Sequence, residues 1–176
     1  MNKADKIRCR AASVCRTLGT ILLILIILMF VPLTVPKLLG YQPYTVVSGS
    51  MEPTIATGSL VYVRDVEPEA VAAKEVIAYY GGRDRDSVIT HRVMENNVSE
   101  REFITKGDAN AASDMTPVLY HNLIGKVELA VPKLGFVAQF FSDRNGKRAV
   151  ICLIGLAVVL HIISMHLGRR QDKNMD

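Results

Sequence analysis

The sequence predicts a mainly β domain held between two transmembrane helices. Three observations lead there. Residues 17–36 and 149–168 each form a run of 20 without a formal charge. Residues 41–143 break into short stretches rich in β-branched and aromatic residues, separated by Gly, Pro and Asn. Charge is also segregated: 41–143 holds 9 Lys/Arg against 14 Asp/Glu, a net of −5, while the flanks hold 12 against 3, a net of +9. The whole chain of 176 residues thus shows only +4. This pattern argues against an ordinary soluble globule and a disordered chain. It also argues against a nucleic-acid partner, whose binding surface gathers basic groups on the folded domain. The length suits one modest domain.

Residues 1–16 form a basic arm with Lys3, Lys6, Arg8, Arg10 and Arg16. Residues 17–37 follow as the first expected span, with a centre at 21–31 that is nearly all large and apolar. At about 1.5 Å per residue, some 20 helical residues cross the ~30 Å hydrocarbon layer. A cleavable leader would share the basic start, but Pro36-Lys37-Leu38-Leu39 is a poor cleavage site, so an uncleaved anchor is expected.

Residues 41–143 are the expected extracytoplasmic domain. Candidate strands are Tyr44-Thr45-Val46-Val47, Leu60-Val61-Tyr62-Val63 and Val76-Ile77-Ala78-Tyr79-Tyr80, the last ending at the turn pair Gly81-Gly82. Residues 88–93 form another strand, closed by a turn at Asn96-Asn97, then Glu102-Phe103-Ile104-Thr105 and a last apolar run over 123–131. A short helix is expected over 67–74. Residues 134–141, with Phe136, Phe140 and Phe141, suit a segment lying along the membrane surface.

The second expected span is 149–168, with His161 and His166 in its last third, followed by a tail, 169–176. The basic N-terminus should remain cytoplasmic, and two spans return the C-terminus to that side. Arg144, Lys147 and Arg148 run against this orientation, but the first span usually dominates. Cys9 and Cys15 lie in or beside the arm and Cys152 in the second span, so the domain uses no disulfide. Asn97-Val98-Ser99 fits a glycosylation sequon, relevant only in a host with that machinery.

Candidate chemistry gathers in three blocks. Val47-Ser48-Gly49-Ser50-Met51-Glu52-Pro53-Thr54 follows the first span. A serine hydroxyl is a weak nucleophile until a base removes its proton. The domain's bases are His91, His121, Lys74, Lys106, Lys126 and Lys133. A lysine would need its pKa lowered by about 3 units to serve near neutrality, whereas histidine needs almost no shift. Strand alternation puts Ile89, His91 and Val93 on one face. His121, near Pro117 and Asn122, reads as structural. The third block, Lys106-Gly107-Asp108-Ala109-Asn110-Ala111-Ala112-Ser113-Asp114, looks by itself like a solvated turn with two carboxylates. No metal cluster, phosphate loop or dinucleotide motif stands out, and no cofactor is expected.

Together these blocks resemble the motifs of type I signal peptidases. The resemblance implies a signal-peptidase-like β catalytic domain and a membrane-bound serine endopeptidase. By that resemblance Ser50 is the nucleophile, and Ser48 joins the Ser50 N–H in the oxyanion hole. Met51 would pack beneath the site. The histidine at position 91 matches the endoplasmic-reticulum type, which includes the SipW-like bacterial enzymes; the usual bacterial type carries lysine there. Asp114 corresponds to the partner of the imidazole, and Asp108 to a supporting residue. Ala109 departs from the more usual asparagine. The chain order Ser50, His91, Asp114 differs from the chymotrypsin, subtilisin and α/β-hydrolase orders. The implied substrates are secretory preproteins with small residues at −1 and −3, and the implied partners are the lipid bilayer and the Sec translocon. Two other readings fit the sequence: a related membrane serine protease that cleaves a regulator, and a non-catalytic anchored binding domain.

Overall fold

A computed structural model describes residues 3–82 and 87–172. The last residues of the expected tail, 173–176, and the first two of the arm lie outside the described residues. The chain divides into two compact units, 1–32 with 141–176, and 33–140.

The first unit is helical. Helix α1 spans Lys3–Leu38, so the basic arm continues the apolar helix rather than preceding it as a separate segment. Helix α3 spans Arg144–Asp172, starting one turn before the charge-free run. Both are long and apolar enough to cross a membrane, and only 6% and 11% of their apolar windows are buried, which sets them apart from soluble core helices. Their contact is built on small residues. A Cβ on Gly19 would lie 2.5 Å from His161 Nδ1 and 3.2 Å from the Ala157 carbonyl oxygen. Close approach of the backbones lets His161 Nε2 sit 3.4 Å from Thr20 Oγ1, while Nδ1 sits 2.9 Å from the Ala157 oxygen. His161 therefore turns toward α1. The rings of Phe30 and Phe141 meet at a tilt of 40° with centroids 5.2 Å apart.

The second unit is a curled antiparallel sheet of seven strands in the order β1-β2-β7-β3-β4-β5-β6. The strands are β1 (Tyr41–Thr45), β2 (Leu60–Arg64), β3 (Val76–Gly81), β4 (Ser87–Asn97), β5 (Glu102–Lys106), β6 (Val118–Leu119) and β7 (Leu123–Val131). Period-2 alternation feeds apolar residues to both faces. Ile77 and Tyr79 of β3 join Val93, Phe103, Val118 and Tyr120 in one core. Ala78, between them, joins Met51, Ile55, Val61, Val63 and Ile124 in another. Gly125 of β7 lies tight against the backbone of β2: its φ is +153°, and a Cβ there would lie 2.1 Å from the Arg64 carbonyl oxygen.

Several boundaries differ from the sequence reading. β1 ends at Thr45, because Val46 turns to exchange backbone bonds with Ser59 and Gly58. β4 runs through Asn96-Asn97, and the turn falls at 98–101, where Arg101 has φ 58°. Asn96 is kept in the strand by a side chain that donates to the Pro68 and Val71 carbonyls and accepts from Tyr120 Oη. The expected helix at 67–74 is a single 3₁₀ turn, Pro68–Ala70. Helix α2 (Leu134–Ser142) occupies the Phe-rich segment, with Phe136 against Gly58 and the Gly135 N–H donating to the Gly58 carbonyl.

Candidate active site

The serine block forms the connection between β1 and β2. Two backbone bonds, Glu52 N–H to Gly49 O and Ile55 N–H to Met51 O, close consecutive turns, the first enclosing Ser50 and the second following it. Met51 is 1% exposed and Ile55 4%, so these turns are pinned by the core beneath them. Glu52 fastens the outer side by accepting from Thr57 N–H and Oγ1 at 3.2 and 3.0 Å. The Glu52–Pro53 bond is cis. Ser50 stands half-buried while Ser48 and Gly49 stay exposed.

His91 lies mid-strand on β4, paired with Ile77 of β3, and is 9% exposed on the face it shares with Val93. Its Nε2 is 3.2 Å from Ser50 Oγ and its Nδ1 is 2.6 Å from Asp114 Oδ2. A carboxylate oxygen only accepts, so Nδ1 carries the ring hydrogen and donates to Asp114. That tautomer leaves the Nε2 lone pair facing the Ser50 hydroxyl. Tyr79 flanks the ring edge-on, with centroids 6.3 Å apart and its hydroxyl 3.4 Å from Nδ1. Burial pushes the Tyr79 phenol up to about 12, so it remains a neutral hydroxyl at physiological pH.

Asp114 is held from β5. Its N–H donates to the Thr105 carbonyl at 2.8 Å, and Thr105 Oγ1 donates to Oδ2 at 2.6 Å. Asp108 faces elsewhere: Arg92 Nε and Nη2 donate to its two oxygens at 2.8 and 2.6 Å. The same guanidinium donates to the Lys74 carbonyl at 2.7 Å. Arg92 holds the Asp108 carboxyl below the usual carboxylate range, and Asp108 in turn raises Arg92. Adjacent residues of β4 thus reach opposite ways, His91 to Asp114 and Arg92 to Asp108.

The loop between these aspartates also touches the serine turn. Ala109 N–H donates to the Ser50 carbonyl at 2.9 Å, and the Gly107 Cα lies so near that a Cβ would be 2.6 Å from that oxygen. Ser48 Oγ lies 3.5 Å from Ser50 Oγ, at the long limit of a hydrogen bond. The structure therefore brings Ser50, His91 and Asp114 into one line, sets Ser48 beside it and Asp108 behind it. A cleft of about 850 Å³ opens on the Asp114 side of the imidazole, lined by Tyr79, Ile89, Met115, Pro117 and His121 among others. Among the described residues, no cluster of three or more His, Cys, Asp or Glu could hold a metal ion.

Three participants escape the sequence reading: Thr105, Arg92 and Gly107. Thr105 left a signal, because alternation in β5 turns it inward beside Phe103, and both are fully buried. A hydroxyl on the inward face of a strand requires a partner. Arg92 left a weaker one, its place on the opposite face from His91.

No family model matches the chain. It is similar to signal peptidase I W of Bacillus subtilis, 36% identical over 91 residues, which cover 50% of this chain and about half, 47%, of that protein. It is also similar to the signal peptidase complex catalytic subunit SEC11 of Zygosaccharomyces rouxii, 30% identical over 136 residues, covering 69% of this chain and 79% of the relative. The Fusarium vanettenii protein of the same name is 33% identical over 129 residues, or 65% and 73% of the two chains. Similarity of this depth to bacterial and fungal relatives alike means that the chain belongs to the signal peptidase I family of serine endopeptidases, in its endoplasmic-reticulum branch.

Proposed function

We propose that the protein removes signal peptides from exported preproteins by acyl-enzyme chemistry at Ser50, with His91 as base and Asp114 as its partner. One observation carries this reading. The Ser50 Oγ, His91 Nε2 and Nδ1, and Asp114 Oδ2 atoms follow one another at 3.2 and 2.6 Å with the ring between them. Among the described residues the side chains within hydrogen-bond distance of Ser50 Oγ are those of His91 and Ser48, and none of the domain's four lysines is among them. Attack by Oγ on the scissile carbonyl passes the hydroxyl proton to Nε2, and Asp114 stabilises the imidazolium that forms. The tetrahedral oxygen is taken by the Ser50 N–H and the Ser48 hydroxyl. His91 then returns its proton to the leaving amine, and afterwards takes a proton from water as that water releases the acyl group. The Asp108–Arg92 pair acts on the loop that bears Asp114 and braces the serine turn.

The substrates on this reading carry small residues at −1 and −3. Both termini are cytoplasmic, residues 41–143 form the extracytoplasmic peptidase domain, and the Sec translocon delivers the preproteins. The fungal relatives are catalytic subunits of a signal peptidase complex by name, which supports the same substrate class here. The test is cleavage of a preprotein by the purified full chain and its Ser50→Ala form in detergent or vesicles. Cleavage should disappear in the alanine form; processing at the parent rate would remove Ser50 from the mechanism.

A further inference from the structure

Asp114 Oδ2 carries two donors at once, the His91 Nδ1–H at 2.6 Å and the Thr105 hydroxyl at 2.6 Å. Thr105 is fully buried and Asp114 keeps 22% of its side chain exposed. The hydroxyl is therefore shielded from solvent, while the carboxylate sits at the edge of a cleft. We propose that Thr105 is a positioning residue for the reaction: its hydroxyl pins the Asp114 oxygen in line with the imidazole, so that His91 keeps the ring orientation that faces Ser50.

Three features support this role and distinguish it from simple satisfaction of a buried polar group. Thr105 pairs directly with Val93, and His91 is two residues away on the same face of β4. The base and the hydroxyl are thus mounted on one hydrogen-bonded strand pair, whose spacing is set by the backbone. Asp114 itself lies in an irregular loop, where a free carboxylate would rotate about two side-chain torsions. Thr105 removes that freedom at both ends, because its carbonyl accepts from the Asp114 N–H while its hydroxyl holds Oδ2. Finally, a β-branched side chain in a strand has a restricted χ1, so the hydroxyl is aimed before substrate arrives. Thr105 touches no reacting atom; its hydroxyl meets Asp114 and also the Tyr79 phenol, which itself interacts with Asp114.

This inference rests on the proposed Ser50–His91–Asp114 chemistry, and the experiment separates the two. Preprotein cleavage is measured on the full chain for Thr105→Val, Thr105→Ser and Thr105→Ala, alone and with Asp114→Asn, with melting temperatures alongside. Losing the hydroxyl should lower kcat roughly 10- to 100-fold, as for a hydrogen bond to a charged group, with KM changed less than about twofold. Serine, which keeps the hydroxyl, should stay within about threefold of the parent. Thr105→Val should cost nothing further in the Asp114→Asn background, because the two changes break one chain of contacts. Should valine destabilise the fold, the serine–alanine pair decides, since both lack the methyl and differ only in the hydroxyl. Parent kcat in the valine or alanine form overturns the proposal. So does a serine form as impaired as alanine, or losses that multiply with Asp114→Asn. If Ser50→Ala retains cleavage, the underlying chemistry fails; if it is inactive while Thr105→Val is normal, this inference alone fails.

Discussion

Gly107 should be intolerant of the smallest possible side chain, for a reason that can be measured in ångströms. Its φ is ordinary, so alanine meets no backbone penalty there; the obstacle is a neighbour. The added Cβ would stand 2.6 Å from the Ser50 carbonyl oxygen and 2.8 Å from Asn110 Nδ2. Real Cβ contacts essentially never fall below 3.0 Å and are ordinary from 3.4 Å, so the Ser50 backbone must retreat by 0.4 to 0.8 Å. The amide can turn aside, but the carbonyl is tied to the same loop through the Ala109 N–H, so serine turn and loop cannot separate without losing that bond. At full transmission to Oγ and directed away from the ring, the shift would stretch its 3.2 Å contact with His91 to about 3.6–4.0 Å, beyond hydrogen-bond range. Misplacement on this scale costs about 10- to 100-fold in rate, or roughly 1.4–2.8 kcal/mol of barrier. The assay is single-turnover cleavage of a preprotein by Gly107→Ala, beside the labelling rate of Ser50 by a serine-directed phosphonate. Both rates should fall together while the melting temperature changes little. Cleavage within twofold of the parent would refute the idea that this glycine sets the position of the nucleophile.

Asp114→Asn should lower kcat by about 10³- to 10⁴-fold with little change in KM, since an amide can present a donor to Nδ1 and reverse the tautomer; steady-state cleavage checks it. For Asp108 the folded-state pKa is depressed by Arg92, so its contribution to stability is present above the ordinary value near 3.9 and is lost as pH falls through the lower folded value. Melting temperatures measured from pH 6 down to 2.5 should therefore drop below about pH 4 in the parent, and less steeply in Asp108→Asn. Phe103→Ala, at a fully buried position, should cost about 3–5 kcal/mol in denaturant unfolding. Arg64→Ala breaks a 3.5 Å ion pair with Glu128, a hydrogen bond to the Tyr41 hydroxyl and a cation–π contact 4.5 Å from the Tyr41 ring; with the arginine 48% exposed, the loss in denaturant unfolding should be about 1–2 kcal/mol.

The β architecture is legible because it follows from local pattern, whereas Ser50 and His91 stand out only through the resemblance, since a serine beside glycine and a lone strand histidine are ordinary on their own. Alternation of two assigns His91 a face whatever the strand pairs with, and 20 charge-free residues announce a long apolar helix without tertiary knowledge. The turn at Asn96-Asn97 was misread because asparagine's usual preference for turns is overridden here. The Asn96 amide fills bonds to Pro68, Val71 and Tyr120, and β4 passes a bulge near Val93 before continuing. β6, of two residues, is too short to show a period at all. The two aspartates could be separated only by resemblance. Spacing within a loop carries no direction, and what divides them is that His91 and Arg92 point to opposite faces of β4.

Ser50 and His91 are supported by different cores. The residue after the serine, Met51, is packed with Val61, Val63 and Ala78, whereas the histidine's face-mate Val93 is packed with Ile77, Tyr79 and Phe103. The 3.2 Å gap between nucleophile and base is thus a gauge of how the two cores are aligned across β3. A methylene added or removed in either one should shift the attacking atom as well as cost about 1 kcal/mol of stability. Turnover in this enzyme should therefore report core packing alongside melting, because the alignment of the two cores sets the distance from nucleophile to base.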